Sequence, residues 1–206
     1  MTLLAMLRHG ETAWSASGRL QGRTDIGLSD AGREALSLRR LPATCRDLQA
    51  VSSPLVRCTE TAACLGLQGL RIEPRLVEMS WGDWEGQTLS VLRAQGGDAM
   101  HDNEARGLDF QPPGGESPRQ VGLRLQPWLQ EIGASQRATL AVSHRGVVRV
   151  VFAQAMGWDM CGKPPAKLDW SCLQLFKIDA AGRPRVWLLN LPLDGAAQAA
   201  SAAPDA

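Results

Sequence analysis

The stretch Leu3-Leu4-Ala5-Met6-Leu7-Arg8-His9-Gly10 decides how the chain folds. An apolar run short enough for one strand stops abruptly at a cation, an imidazole and a glycine. Two later runs are built the same way: Ala50-Val51-Ser52 runs into Ser53-Pro54, and residues 139–143 run into His144-Arg145-Gly146. Helical patterns lie between them. Ser29 is placed to cap a helix over residues 30–36, residues 57–65 follow Pro54, and Ser117 is placed to cap a helix over residues 118–132. Strands alternating with helices predict an α/β fold, a three-layer sandwich with helices on both faces of a mostly parallel central sheet. Residues 172–178 and 185–189 flank Asp179-Ala180-Ala181-Gly182-Arg183-Pro184, which predicts a C-terminal hairpin at a sheet edge.

A chain of 206 residues suits one core, and we expect a single domain over residues 1–193. The low-complexity tail 194–206 is expected to be disordered. A net charge of +1 gives no broad basic surface, so nucleic acid and membranes are not expected partners, and any cationic site must be local. The five cysteines are scattered without a C-x-x-C pair, which suits reduced thiols rather than a disulfide framework or a zinc site. The first residues lack a basic leader region, and no apolar run approaches the roughly 20 residues a membrane span needs. A cytoplasmic location is therefore expected. A homodimer is compatible with the sequence, which does not determine the oligomeric state.

The polar strand ends are the chemically informative feature. In open α/β sheets ligands bind in the crevice outside the carboxyl ends of the strands. Two of the three histidines, His9 and His144, are thereby expected in one crevice. Arginine beside histidine suits an anion, because the guanidinium fork matches phosphate and also favours the neutral, nucleophilic imidazole. Arg57 lies about one helical turn after Pro54 and can reach back toward the same place. The segment Leu76-Val77-Glu78-Met79-Ser80-Trp81-Gly82-Asp83-Trp84-Glu85-Gly86 supplies two carboxylates that could serve as a general acid, Glu78 or Glu85. Loop-like segments at 18–27 and 96–115 flank these motifs, and the second could cover a site. His101, in the latter, reads as a loop histidine without metal-ligand spacing. Trp14, Trp81 and Trp84 are candidates for a substrate wall or for core packing, whereas Trp128, Trp158, Trp170 and Trp187 read as core or edge packing.

Taken together, these motifs resemble the histidine phosphatase superfamily, also called phosphoglycerate-mutase-like. The resemblance rests on LRHGET at 7–12, GRLQG at 18–22, LSDAG at 28–32 and SSPLVRCTETA at 52–62. It continues with LVEMSWGDWEG at 76–86, PGGES at 113–117 and VSHRGVVR at 142–149, all in the family's order. It implies a phosphoglycerate-mutase-like fold and a metal-independent, cofactor-free hydrolysis of a small phosphorylated metabolite. His9 is then the nucleophile that becomes phosphohistidine. Arg8, Arg57 and His144 hold the phosphoryl group, Glu78 is the acid, and Gln21 and Ser15 stand at phosphate-contacting positions.

Two departures from the family's wording matter. Ser15 replaces the usual asparagine, so a phosphate contact is expected to be lost or bridged by water. Arg145 replaces a glycine after the second histidine, adding charge near the pocket or pointing into solvent. The alternatives are a phosphoglycerate mutase and a non-catalytic phospho-ligand binder. The short stretch between Met79 and Pro112 favours the phosphatase over the mutases, which generally carry a longer insert there. Within the phosphatases the wording is similar to α-ribazole phosphatases and, equally, to broad-specificity sugar-phosphate phosphatases.

Overall fold

The computed structural model describes residues 1–195. Its strands are β1 (Thr2–Arg8), β2 (Gln49–Ser52), β3 (Arg71–Ile72), β4 (Thr139–Ser143), β5 (Leu173–Ile178) and β6 (Pro184–Leu191). They form one six-stranded sheet in the order β3-β2-β4-β1-β5-β6. β1 to β4 are parallel through the pairs β1–β4, β4–β2 and β2–β3. β5 lies antiparallel to β1, and the β5–β6 hairpin closes that side of the sheet at its edge, as expected.

β1 is central, so both its faces are covered, and strand periodicity divides its side chains between two cores. Leu4 and Met6 pack with Val121, Leu125, Val147 and Val151 on one side. Ala5 and Leu7 pack with Leu28, Leu36 and Leu140 on the other. Each such buried Leu or Met contributes about 1.5–3 kcal/mol relative to exposure. The first layer is supplied by α5 (Pro118–Ser135) and α6 (Arg145–Met156), the second by α2 (Asp30–Ser37) with α3 (Val56–Cys64) beside it. Caps set where the helices begin. The Ser29 hydroxyl accepts from the Gly32 amide, and Ser117 exchanges hydrogen bonds with Gln120 in a capping box. The one-turn α1 (Ala13–Ala16) is capped the same way by Thr12 and Ser15.

The structure corrects one expectation directly. Residues 96–115 are not a loop throughout, because α4 (Leu89–Glu104) runs through the first half of that segment. Gly96-Gly97 reads as a helix breaker, and Gly97 does leave helical geometry at φ 49°, ψ −132°. The helix resumes beyond it because Leu92 and Met100, one on each side, are both buried. His101 accordingly sits exposed in the last turn of α4 rather than in a loop. The chain then turns at Gly107–Asp109 and delivers Phe110 against Trp81 and Trp84, each ring 5.8 Å away.

At the C-terminal end, Asp194 exchanges backbone hydrogen bonds with Arg40 and pairs its carboxylate with Arg46 at 3.0 Å. Ordered chain thus passes the expected boundary at residue 193. The rest of the tail expected to be disordered, 196–206, lies outside the described residues. All five cysteines are free, and among the described residues no helix is long and apolar enough to cross a membrane.

Ser117 is buried, and its cap fixes the start of the longest helix. Ser117→Ala should cost about 1 kcal/mol of unfolding free energy in a denaturant titration. An unchanged midpoint would show that the capping box contributes nothing.

Candidate active site

The carboxyl ends of β1, β2 and β4 meet. The His9 amide donates to the Ser143 carbonyl at 2.9 Å, and the Ser53 amide donates to the Val142 carbonyl at 3.0 Å. The His9 and His144 rings thereby stand 5.3 Å apart between centroids. His9 Nδ1 lies 2.7 Å from the carbonyl oxygen of Gly10. A carbonyl can only accept, so Nδ1 carries the proton and Nε2 keeps its lone pair. Burial, and then the charges of Arg8 and Arg57, push His9 down to about 3, so the imidazole is neutral across the ordinary pH range. His144 is buried as well and lies well below its ordinary value because of burial first, then neighbouring His9 and the charges of Arg57, Arg124 and Arg8. Its Nε2 is 2.7 Å from the Ser53 hydroxyl, with the Cys58 thiol 3.4 Å from the same nitrogen.

Arg57 is fully buried although it is a cation. Its Nη1 and Nη2 donate to the carbonyls of Thr24 and Gly22 at 3.1 and 2.7 Å, which ties the 18–27 loop to α3. Among the described residues, three buried donors find no protein acceptor: Arg8 Nε, Gln21 Nε2 and Arg57 Nε. Native proteins rarely leave buried donors unpaired, and each costs roughly 1–3 kcal/mol. Donors of one polarity gathered around a neutral imidazole make a site for an anion. Gln21 is held for this by accepting from the Thr12 hydroxyl at 2.7 Å.

The structure separates the two carboxylates that the sequence leaves as alternatives. Glu78 is buried, accepting from the amides of Met79 at 2.8 Å and Gly146 at 3.2 Å. Burial pushes its carboxyl up, and those two amides oppose the shift without cancelling it. Glu85 does the opposite. It accepts from the Thr24 hydroxyl, from the amides of Arg23 and Thr24 at 2.8 Å each and from Trp81 at 3.3 Å; these hydrogen bonds, the hydroxyl's foremost, outweigh desolvation and hold it below the usual range. Glu85 is thus a staple between loops, and Glu78 is the carboxyl that retains its proton more readily. Both glycines beside them are required by close approach. A Cβ on Gly146 would come 2.5 Å from Glu78 Oε1, and one on Gly22 would run into Glu85 Oε1.

Arg8, His9, Gln21 and Glu78 line one 290 Å³ cleft, whose walls include Trp81, Phe110, Arg145 and Arg149. Ser15 lines it too, but its hydroxyl is engaged locally, donating to the Thr12 carbonyl and accepting from the Thr12 amide. Arg145 resolves toward the pocket wall, with its guanidinium over Trp170 at 5.0 Å. Sequence reasoning overlooked the supporting residues. Ser53 steadies His144, and the Thr61 hydroxyl accepts from the Gly10 amide and donates to the Arg57 carbonyl. Arg124 donates to the carbonyls of Arg75 and Val77, fixing the segment that carries Glu78. Ser53 and Thr61 stand inside the SSPLVRCTETA motif, so the signal was present; Arg124 carries none.

A family model for the histidine phosphatase superfamily (branch 1) matches residues 4–191. The chain belongs to the histidine phosphatase superfamily. A glucosyl-3-phosphoglycerate phosphatase of Mycolicibacterium vanbaalenii is 37% identical over 169 residues, 75% of this chain and 74% of that protein. Phosphoglycerate mutase-like protein 4 of Arabidopsis thaliana is 32% identical over 163 residues, 74% of this chain and 70% of that one. Among solved structures, a mycobacterial glucosyl-3-phosphoglycerate phosphatase in complex with VO3 superposes with a TM-score of 0.75. Its identity is 28%, covering 93% of this chain and all of that one. This histidine phosphatase therefore shares the fold and family of phosphatases and of a mutase-like protein alike.

The contrast between the two carboxylates is measurable. With its folded-state pKa raised, Glu78 retains in the folded protein a proton that the unfolded chain has lost, so stability falls as pH rises above the ordinary carboxylate value of about 4.3. Glu78→Gln removes that loss. The variant's Tm should gain on the parent's as pH is raised from about 4 to about 8, whatever the offset between them. Parallel Tm profiles would contradict the assignment. Glu85→Ala, which strands three amides, should instead lower stability by more than about 1 kcal/mol at neutral pH.

Proposed function

We propose that this phosphomonoester hydrolase acts on a small phosphorylated metabolite through a phosphohistidine on His9, using no cofactor. The observation that carries the reading is the neutral His9 with its Nε2 lone pair, set among the unpaired donors of Arg8, Gln21 and Arg57. Names of relatives support the reaction class, and the VO3 complex of a relative supports an oxyanion as the kind of ligand bound.

In the first step His9 Nε2 attacks phosphorus in line with the ester oxygen. The phosphorus–oxygen bond breaks, and the departing oxygen takes the proton of Glu78. Arg8, Arg57, Gln21 and His144 surround the equatorial oxygens and offset their charge, so positioning and electrostatics supply most of the rate. In the second step the Glu78 carboxylate takes a proton from water as the water oxygen attacks phosphorus. The nitrogen–phosphorus bond breaks and inorganic phosphate leaves. Splitting the displacement in two replaces one difficult step with two easier ones. His9 keeps its Nδ1 proton on Gly10 throughout, which holds the ring in the attacking orientation.

Hydrolysis of 4-nitrophenyl phosphate with EDTA present is the direct test. His9→Ala should reduce it by more than about 10³-fold, and acid-labile, base-stable phosphate should be trapped on the parent after quenching. Equal activity in His9→Ala would overturn the mechanism. Glu78→Gln should lower kcat/KM, which reports the phosphorylation step and not the shared hydrolysis of phosphohistidine, by about 10²–10⁴-fold on an alkyl phosphate, whose leaving oxygen needs a proton, and much less on 4-nitrophenyl phosphate, whose leaving group does not. Equal losses on both would remove Glu78 from the role of acid.

A further inference from the structure

Arg145 and Arg149 lie one helical turn apart at the start of α6, and both line the 290 Å³ cleft that contains Glu78. Each guanidinium is stacked on an indole: Arg145 over Trp170 at 5.0 Å and Arg149 over Trp158 at 5.1 Å. Stacking occupies the face of the guanidinium and leaves its in-plane N–H groups free to bind. Many arginines elsewhere are paired with carboxylates, among them Arg33, Arg75, Arg93, Arg119 and Arg124. Among the described residues Arg145 and Arg149 have no such partner, and their side chains make no hydrogen bond.

The arrangement is electrostatically unfavourable without a ligand. Arg145 acts on both Arg8 and Arg149 as a like charge, adding to the effect of burial on each. The cleft's carboxyl, Glu78, opposes this at Arg8 but does not figure at Arg149, and burial favours its neutral form. Two aromatic-backed cations are therefore held on the wall of the cleft that Glu78 also lines, the cleft in which the proposed reaction places the leaving group. Arg8 and Arg57 are already assigned to the transferred phosphoryl group, so the α6 pair calls for a second anion.

We propose that Arg145 and Arg149 form a subsite for an anionic group on the leaving alcohol, a carboxylate or a second phosphate, so that the preferred substrates are phosphate esters with a second negative charge. This rests on the phosphatase reading for the placement of the leaving group. Arg145 is the specificity-determining member, because it stands where the family's wording has glycine and where a shorter side chain would leave Trp170 bare.

The experiment measures binding by calorimetry to the full chain carrying His9→Ala, which removes turnover, so its outcome is separate from that of the hydrolysis assay. 3-Phosphoglycerate is compared with glycerol 3-phosphate, which replaces the carboxylate by a hydroxymethyl group, and 1,3-propanediol bisphosphate with 3-hydroxypropyl phosphate. In at least one pair the doubly anionic ligand should bind about tenfold or more tightly, and the pair that shows it identifies the anion. Adding Arg145→Gln should shrink the gap to threefold or less, about the level expected without a charge-assisted contact, and Arg145→Lys should restore part of it. Equal affinities within both pairs, or a gap that survives both Arg145→Gln and Arg149→Gln, would overturn the proposal.

Discussion

Arg57 is a fully buried cation with one nitrogen left unpaired, and the rest of the site is arranged around that fact. A guanidinium removed from water is costly unless its hydrogen bonds are made. Two of its nitrogens are satisfied by the carbonyls of Gly22 and Thr24, which fixes the path of the 18–27 loop. That path in turn presses Gly22 against Glu85 and carries Gln21 to the cleft. The remaining Nε–H, with those of Arg8 and Gln21, is a standing demand for an acceptor. An oxyanion, which only accepts, is the kind of ligand that meets it.

The same burial divides labour among groups that are chemically alike. His9 lies away from water and among cations, so it stays neutral. Glu78 and Glu85 are seven residues apart, yet their environments push them in opposite directions. The buried one retains its proton more readily, and the one with three amide donors remains ionised. Environments that separate two like groups in this way are how one pocket comes to hold both an acid and a fixed charge.

Much of this was legible in the sequence because it depends on local pattern. The apolar runs at 3–7, 50–52 and 139–143 are strands within one residue at either end, and Ser29 and Ser117 cap the helices expected of them. Convergence of His9 and His144 followed from both lying at strand ends in a parallel sheet. What was not legible depends on the chain folding back on itself. Residues 96–115 read as a loop, and the burial of Met100 explains why α4 runs through Gly96-Gly97 into that segment. Glu78 could not be told from Glu85 within LVEMSWGDWEG, because the deciding donors come from residues 23, 24 and 146. Arg145 could face either way until Trp170, far along the chain, was seen to lie beneath it.

The account turns on one protonation state: a neutral His9 with its proton on Nδ1 and a free Nε2. Long-range nitrogen–proton NMR of the ¹⁵N-labelled imidazole, recorded between about pH 4 and pH 8, reads tautomer and charge together. The account predicts a His9 signal that keeps the neutral Nδ1–H pattern across that range. A His9 that protonates near the ordinary value of about 6.5, or that carries its proton on Nε2, would contradict it.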